Sequence, residues 1–174
     1  MEIELEKTYL VKEIPPEIKG VIPTEILDIY IPSNTKHPIL RIRKRGNNHS
    51  ITKKKPIHGT DSSEQSEETI LLSEEEFTEL SQIKGKRLRK NRYTIKNDGI
   101  TLDLDIFLDD LEGLVLVDFE FSSVEAKNSF VIPNWCVADV TQDELIAGGV
   151  LAGKKYLDIE NGLKNYGYTK INNR

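Results

Sequence analysis

Residues 101–121 read TLDLDIFLDDLEGLVLVDFEF, and the alternation inside this stretch decides the fold. In its first part Asp103 and Asp105 alternate with Leu102, Leu104 and Ile106. In its second, Asp118 and Glu120 alternate with Val115, Val117, Phe119 and Phe121. Side chains two apart share one face of a strand, so each part reads as a strand with one acidic and one apolar face. Asp109 to Gly113, between them, has the chemistry of a chain reversal.

The pattern recurs outward with both signs. Glu4, Glu6 and Thr8 lie opposite Ile3 and Leu5, while Arg41 and Arg43 lie opposite Leu40 and Ile42. Gly46-Asn47-Asn48 predicts a turn into the strand Ile51-Thr52-Lys53-Lys54, and Asn97-Asp98-Gly99 predicts a hairpin between residues 91–96 and 100–107. Residues 24–31 give another strand, closed by Pro32, and Pro56 to Ser66 reads as a mobile polar loop. Ser73 with Glu76 has the pattern of a capping box before a helix bearing Phe77, Leu80 and Ile83, and Thr141 with Glu144 repeats it before Gly148-Gly149. Tyr156, Ile159 and Leu163 mark a last amphipathic helix, expected to pack on the outside.

The chain has 174 residues, with 29 acidic and 24 basic side chains and a net charge of -5. Net acidity disfavours a general nucleic-acid partner. No apolar run approaches the ~18 residues of a membrane span. Cys136 is the sole cysteine, so neither an intramolecular disulfide nor a cysteine zinc cage can form. Met1 leads straight into Glu2, Glu4 and Glu6 with no basic leader, and a cytoplasmic protein is expected.

Net charge conceals a segregation of signs. Lys36 to Lys55 holds eight bases and no acid, and Thr101 to Glu125 holds eight acids and no base. Polar-out alternation would explain any one strand as the solvent side of a sandwich. Segregation over all of them favours inward charged faces: a mainly β (α+β) fold, an eight-stranded antiparallel barrel around a polar lumen, with a few helices packed outside. Residues 1–174 then form a single domain.

Inward carboxylates at Glu4, Glu6, Asp118 and Glu120, with Asp105, cannot all stay ionised in a low dielectric without a cation. Hard oxygen donors suit Mg²⁺ or Mn²⁺. Arg41, Arg43, Lys54 and Arg92 form a complementary wall, and Arg forks match phosphate oxygens. A metal opposite a cationic wall describes a site for several phosphates. No phosphate-binding glycine loop, dinucleotide fingerprint or nucleophile elbow is present, and His37, His49 and His58 lack zinc-protease spacing.

Together these residues resemble the CYTH superfamily, the triphosphate tunnel metalloenzymes that include thiamine triphosphatases, inorganic triphosphatases and class IV adenylate cyclases. Glu4-Leu5-Glu6 with the following Tyr9-Leu10-Val11 resembles the family opening. Arg41-Ile42-Arg43, Thr52-Lys53-Lys54 and Lys90-Asn91-Arg92-Tyr93 resemble its basic strands. Leu102 to Phe107, Gly113 to Glu120 and Trp135 to Thr141 resemble its later landmarks, in the family's order.

The resemblance implies an eight-stranded tunnel hydrolysing a triphosphate with a divalent metal. It places Glu4, Glu6, Asp105, Asp118 and Glu120 on the metal, with Arg41, Arg43, Lys54, Lys90 and Arg92 on the phosphates. Lys154 would add a further cation, and Glu67 a further tunnel acid. The substrate is expected to be tripolyphosphate or an organic triphosphate such as thiamine triphosphate or a nucleotide. Thr8 stands where the family motif has Lys, which keeps a non-catalytic polyphosphate or nucleotide binder as an alternative, beside an adenylate cyclase.

Overall fold

A computed structural model describes residues 2–172. Met1, on which the leader reading rests, lies outside them. Strands run at β1 (Glu2–Val11), β2 (Thr24–Ile31), β3 (Leu40–Arg45), β4 (Asn48–Pro56), β5 (Glu64–Leu72), β6 (Lys86–Asn97), β7 (Ile100–Phe107), β8 (Val115–Phe121) and β9 (Cys136–Asp139). Helices are α1 (Glu74–Leu80), α2 (Val124–Ser129), α3 (Gly148–Leu151) and α4 (Tyr156–Lys164). Among the described residues no helix is long and apolar enough to cross a membrane.

All pairings are antiparallel, in the order β5-β4-β3-β2-β6-β7-β8-β1, and β1 returns to β5 to close eight strands into a barrel. β1 closes it by dividing one of its edges. Residues Glu2 to Leu5 pair with β5, and Tyr9 to Val11 pair with the extra strand β9, while the other edge pairs with β8. The Asn97-Asp98-Gly99 hairpin forms as expected, with Asp98 and Gly99 both at positive φ, the backbone a two-residue β-turn of matching twist needs. The Ser73/Glu76 capping box is also present, since Ser73 Oγ accepts from Glu76 N–H and the Glu76 carboxylate accepts from Ser73 N–H.

Three expectations change. The polar segment 56–66 is shorter as a loop, because β4 runs to Pro56 and β5 begins at Glu64, with Lys55 opposite Ser66 in register. The alternation is hidden there by polar residues on both faces. Thr141 caps no helix, its hydroxyl instead accepting from Thr8 N–H and donating to Asp139, while Asp143 caps the short 3₁₀ turn Glu144–Ile146. Finally, the inner faces are charged along only part of their length.

Leu10, Tyr30, Leu88, Phe107 and Leu116 share inner faces with Thr8, Asp28, Lys90, Asp105 and Asp118, one step along their strands. They pack with Leu151, Tyr156, Ile159 and Leu163 of α3 and α4. The last helices therefore buttress an apolar portion of the barrel's own inner face instead of merely coating its outside. The outward faces of β1, β7 and β8 are covered by Ile18, Phe130 and Trp135, and those of β2 and β3 by Phe77.

Tyr168, after α4, ties this closure to β8. Its buried hydroxyl donates to Gly113 C=O at 2.7 Å and accepts from Val115 N–H at 2.8 Å. Gly113 C=O keeps the Ile171 N–H, but Tyr168→Phe leaves the buried Val115 N–H without its partner and should cost about 1–3 kcal/mol in urea unfolding. An unchanged midpoint would show that this hydroxyl does not hold the C-terminal segment.

Candidate functional site

The polar part of the lumen is built from same-face residues of β1 to β8, and the barrel's register decides which charges meet. Arg92 of β6 forms the centre of the floor. Its Nε and Nη2 donate to the two oxygens of Asp105 at 2.7 and 2.6 Å, and its Nη1 donates to Asp103 at 2.7 Å. Lys90 Nζ donates to Asp105 as well, and Thr94 Oγ1 donates to Asp103. Burial alone would raise the Asp105 carboxyl, but Arg92 and Lys90 outweigh it and hold it at about 2.

A second buried pair stands on the neighbouring wall. Asp28, only 1% exposed, takes the Arg43 guanidinium in a bidentate grip at 2.6 and 2.8 Å and has Arg41 Nε 3.8 Å away. Complete burial opposes its ionisation, but Arg43 and Arg41 hold it well below the usual carboxylate range. Arg41 Nε has no hydrogen-bond partner, although its Nη2 lies 4.0 Å from Glu67.

The remaining acids gather where β1 meets β4, β5 and β8. Lys54 Nζ lies 2.5 Å from Glu4 Oε2 and 2.7 Å from Glu6 Oε1, and Gln65 Nε2 donates to Glu6 at 2.8 Å. Thr8 Oγ1 donates to Asp118 Oδ1 at 2.7 Å, and Arg92 Nη2 reaches the other Asp118 oxygen at 3.3 Å. Glu120, opposite Glu6 in register, pairs with no cation among the described residues. Burial, followed by the charges of Asp103, Glu4 and Glu6, pushes its carboxyl up to about 7, with Arg92 opposing. Burial raises Glu6 too, against the pull of Lys54.

The structure thus gathers Glu4, Glu6, Arg41, Arg43, Lys54, Lys90, Arg92, Asp105, Asp118 and Glu120 on the inner face of one closed barrel. Lys154 is placed apart: it follows α3, beside Lys86, with no ion pair among the described residues. Asp28, Gln65 and Thr94 were not among the sequence candidates. Asp28 did carry a signal, as the lone charge among apolar neighbours in Ile26-Leu27-Asp28-Ile29. The Cys136 thiol is pushed up to about 12 by burial, which suits an inert packing residue.

Among the described residues no three donors stand close enough together to hold a metal ion with the side chains as they lie. The chemistry of the set nevertheless fits a hard divalent cation. Glu4, Glu6, Asp118 and Glu120 offer only carboxylate oxygens, and Lys54 already serves as a cation between two of them.

No protein-family model matches the chain. It is 31% identical over 150 residues to an inorganic triphosphatase of Nitrosomonas europaea, which covers 86% of this chain and 96% of that one. A crystal structure of an inorganic triphosphatase superposes with a TM-score of 0.62 at 27% identity, over 88% of this chain and 97% of that one. A candidate adenylate cyclase of Bacillus halodurans gives 0.57 at 16% identity, over 99% and 94%, a likeness of fold alone.

The Glu120 carboxyl titrates above its ordinary 4.5, so between that value and about 7 the folded state holds a proton that the unfolded chain releases. The associated stability is full below pH 4.5 and lost as pH rises through 7. In EDTA, Glu120→Gln should therefore melt higher than the parent at pH 8, by on the order of 1 kcal/mol after solvent screening, and equally at pH 4. A difference that is the same at both pH values would assign the effect to packing.

Proposed function

The chain belongs to the CYTH superfamily, the triphosphate tunnel metalloenzymes, and on that premise we propose that its lumen hydrolyses a triphosphate with Mg²⁺ or Mn²⁺. The observation that carries the reading is the juxtaposition of Glu4, Glu6, Asp118 and Glu120 with Arg41, Arg43 and Lys54 inside one closed barrel. Like carboxylates face one another across a short span, beside the Arg43 guanidinium already oriented by the buried Asp28. Inorganic tripolyphosphate is the first substrate to test, since the Nitrosomonas europaea relative is named for that class of chemistry. The absence of any cysteine but Cys136 suits a reducing cytoplasm as the place of work.

Glu4, Glu6, Asp118 and Glu120 would hold the metal, which when bound supplies charge neutralisation at the phosphates and an activated water. Arg41 and Arg43 bind phosphate oxygens, and Asp28 fixes the direction in which Arg43 points. The orphaned Arg41 Nε is a donor available for that purpose. Both oxygens of Asp105 are taken by Arg92 and Lys90, so we assign Asp105 to positioning those two cations. Phosphoryl transfer is mostly positioning and charge stabilisation, which such a lumen can provide without a protein nucleophile.

One observation favours a weaker enzyme or a binder. At the position of the family Lys, Thr8 offers a hydroxyl that donates to Asp118, and no charge.

Purified protein should release phosphate from tripolyphosphate when Mg²⁺ or Mn²⁺ is added and stop in excess EDTA. Turnover that survives EDTA would remove the mechanism. Thr8→Lys tests the departure, because residue 8 shares its face with Glu6 and stands opposite Asp118. The variant should bind tripolyphosphate tighter by roughly 1 kcal/mol, the gain of a charge-assisted contact less the entropy of a long side chain. A folded variant with parental affinity and rate would place residue 8 outside the binding surface.

A further inference from the structure

Lys54 differs from the other lumen cations in how it is held. Arg92 spreads its planar fork over Asp103, Asp105 and Asp118 at the buried floor, and Arg43 is locked bidentately on Asp28. Lys54 is instead a point charge on a flexible stem, 23% exposed, whose ammonium sits between Glu4 and Glu6. Both contacts fall on acids assigned above to the metal. Two carboxylates that close on one ammonium cannot offer the same oxygens to a divalent ion.

We propose that Lys54 is a built-in stand-in for the metal: it occupies the space between Glu4 and Glu6, a divalent ion must displace it, and the displaced ammonium turns to the phosphates. The inference rests on Glu4 and Glu6 being metal-side acids, as in the reading above. Three features of the site carry the exchange. Gln65 supports Glu6 through a separate donor, so that carboxylate keeps a partner when Lys54 leaves. Glu67 stands opposite Lys54 across the β4–β5 ladder and lies 4.0 Å from Arg41, so the stem needs only to swing toward the arginine wall. The side chain's partial exposure gives its stem room to move.

The exchange makes metal and triphosphate cooperative. A metal on Glu4 and Glu6 frees a cation for the anion, and an anion that draws Lys54 away frees two carboxylates for the metal. Each must tighten the other by the same factor. It also explains how a lumen rich in acids remains folded before any metal arrives.

The test uses Mn²⁺ alone, without phosphate, by titration calorimetry on the parent, Lys54→Met, Lys54→Gln and Lys53→Met. Lys53 lies on the exposed outer face of the same strand and removes the same charge without the contact. Both Lys54 variants should bind Mn²⁺ at least about tenfold tighter, within the usual range of site coupling, and Lys53→Met should match the parent. Parental or weaker affinity in the Lys54 variants, no Mn²⁺ binding in any of them, or equal tightening in Lys53→Met would overturn the exchange.

Should both Lys54 variants unfold, the parent decides. The Lys54 side-chain nitrogen resonance should shift as Mg²⁺ saturates the protein, and a resonance that stays fixed refutes displacement. A tripolyphosphatase assay on the parent separates the two claims. Hydrolysis with no Lys54 effect sinks only the exchange; a Lys54 effect with no hydrolysis sinks the activity and leaves the exchange standing.

Discussion

The structure depends on enclosing charges of one sign that would repel one another on a surface. Closing the barrel brings the acidic faces of β1, β7 and β8 round to the basic faces of β3, β4 and β6, and the inner carboxylates outnumber the inner cations. Pairing is graded in response. Asp105 and Asp28 have their oxygens filled by Arg and Lys donors, whereas Glu120 pairs with no cation among the described residues and holds its proton up to about 7. Charge that cannot be paired is partly suppressed by protonation, as expected of carboxylates crowded in a low dielectric.

Ion pairs of this kind are weak sources of net stability, because removing two charges from water offsets most of their attraction. Stability must come from apolar burial, and the fold gives it a separate place. On β1 the inner face passes from Leu10 to Thr8 and Glu6, on β8 from Leu116 to Asp118, on β7 from Phe107 to Asp105, and on β6 from Leu88 to Lys90. A single two-residue step on each strand thus marks where packing ends and the lumen begins. Leu151, Ile159 and Leu163 complete the packed side, so the polar side is free to be chosen for chemistry.

That division also explains what the sequence can reveal. Alternation in residues 2–8, 39–45, 101–107 and 114–121 exposes the strands, their faces and the segregation of sign, because period two is a local property. β5 escapes it, since Glu64, Glu67 and Glu68 fall on both faces and its order comes from pairing with Lys55 and Lys54. β9 is too short to show a period, and it exists because β1 has an edge left over beyond β5. Asp28 looks like an intrusion in an apolar strand until the fold sets Arg43 beside it. Which acid meets which base is a property of barrel register, and no local pattern encodes it.

Thr8 stands where the packed side of β1 gives way to the charged lumen. A Lys at this place would add positive charge against Asp118, beside the 3.3 Å contact from Arg92. Thr8 satisfies one Asp118 oxygen by a neutral hydroxyl and leaves Arg92 as the carboxylate's ion-pair partner among the described residues, while Thr141 and Val140 secure its backbone. In a lumen crowded with acids, a neutral residue here adds no cation beside Asp118, one step along β8 from Glu120. A polyanion entering such a space must therefore bring more of its neutralising charge with it, and under the proposed activity that charge is the divalent ion. Under the proposed exchange, the departure at residue 8 would shift the burden of charge balance from a fixed side chain to the divalent ion, and the position of Lys54 would then decide whether Glu4 and Glu6 are open to it.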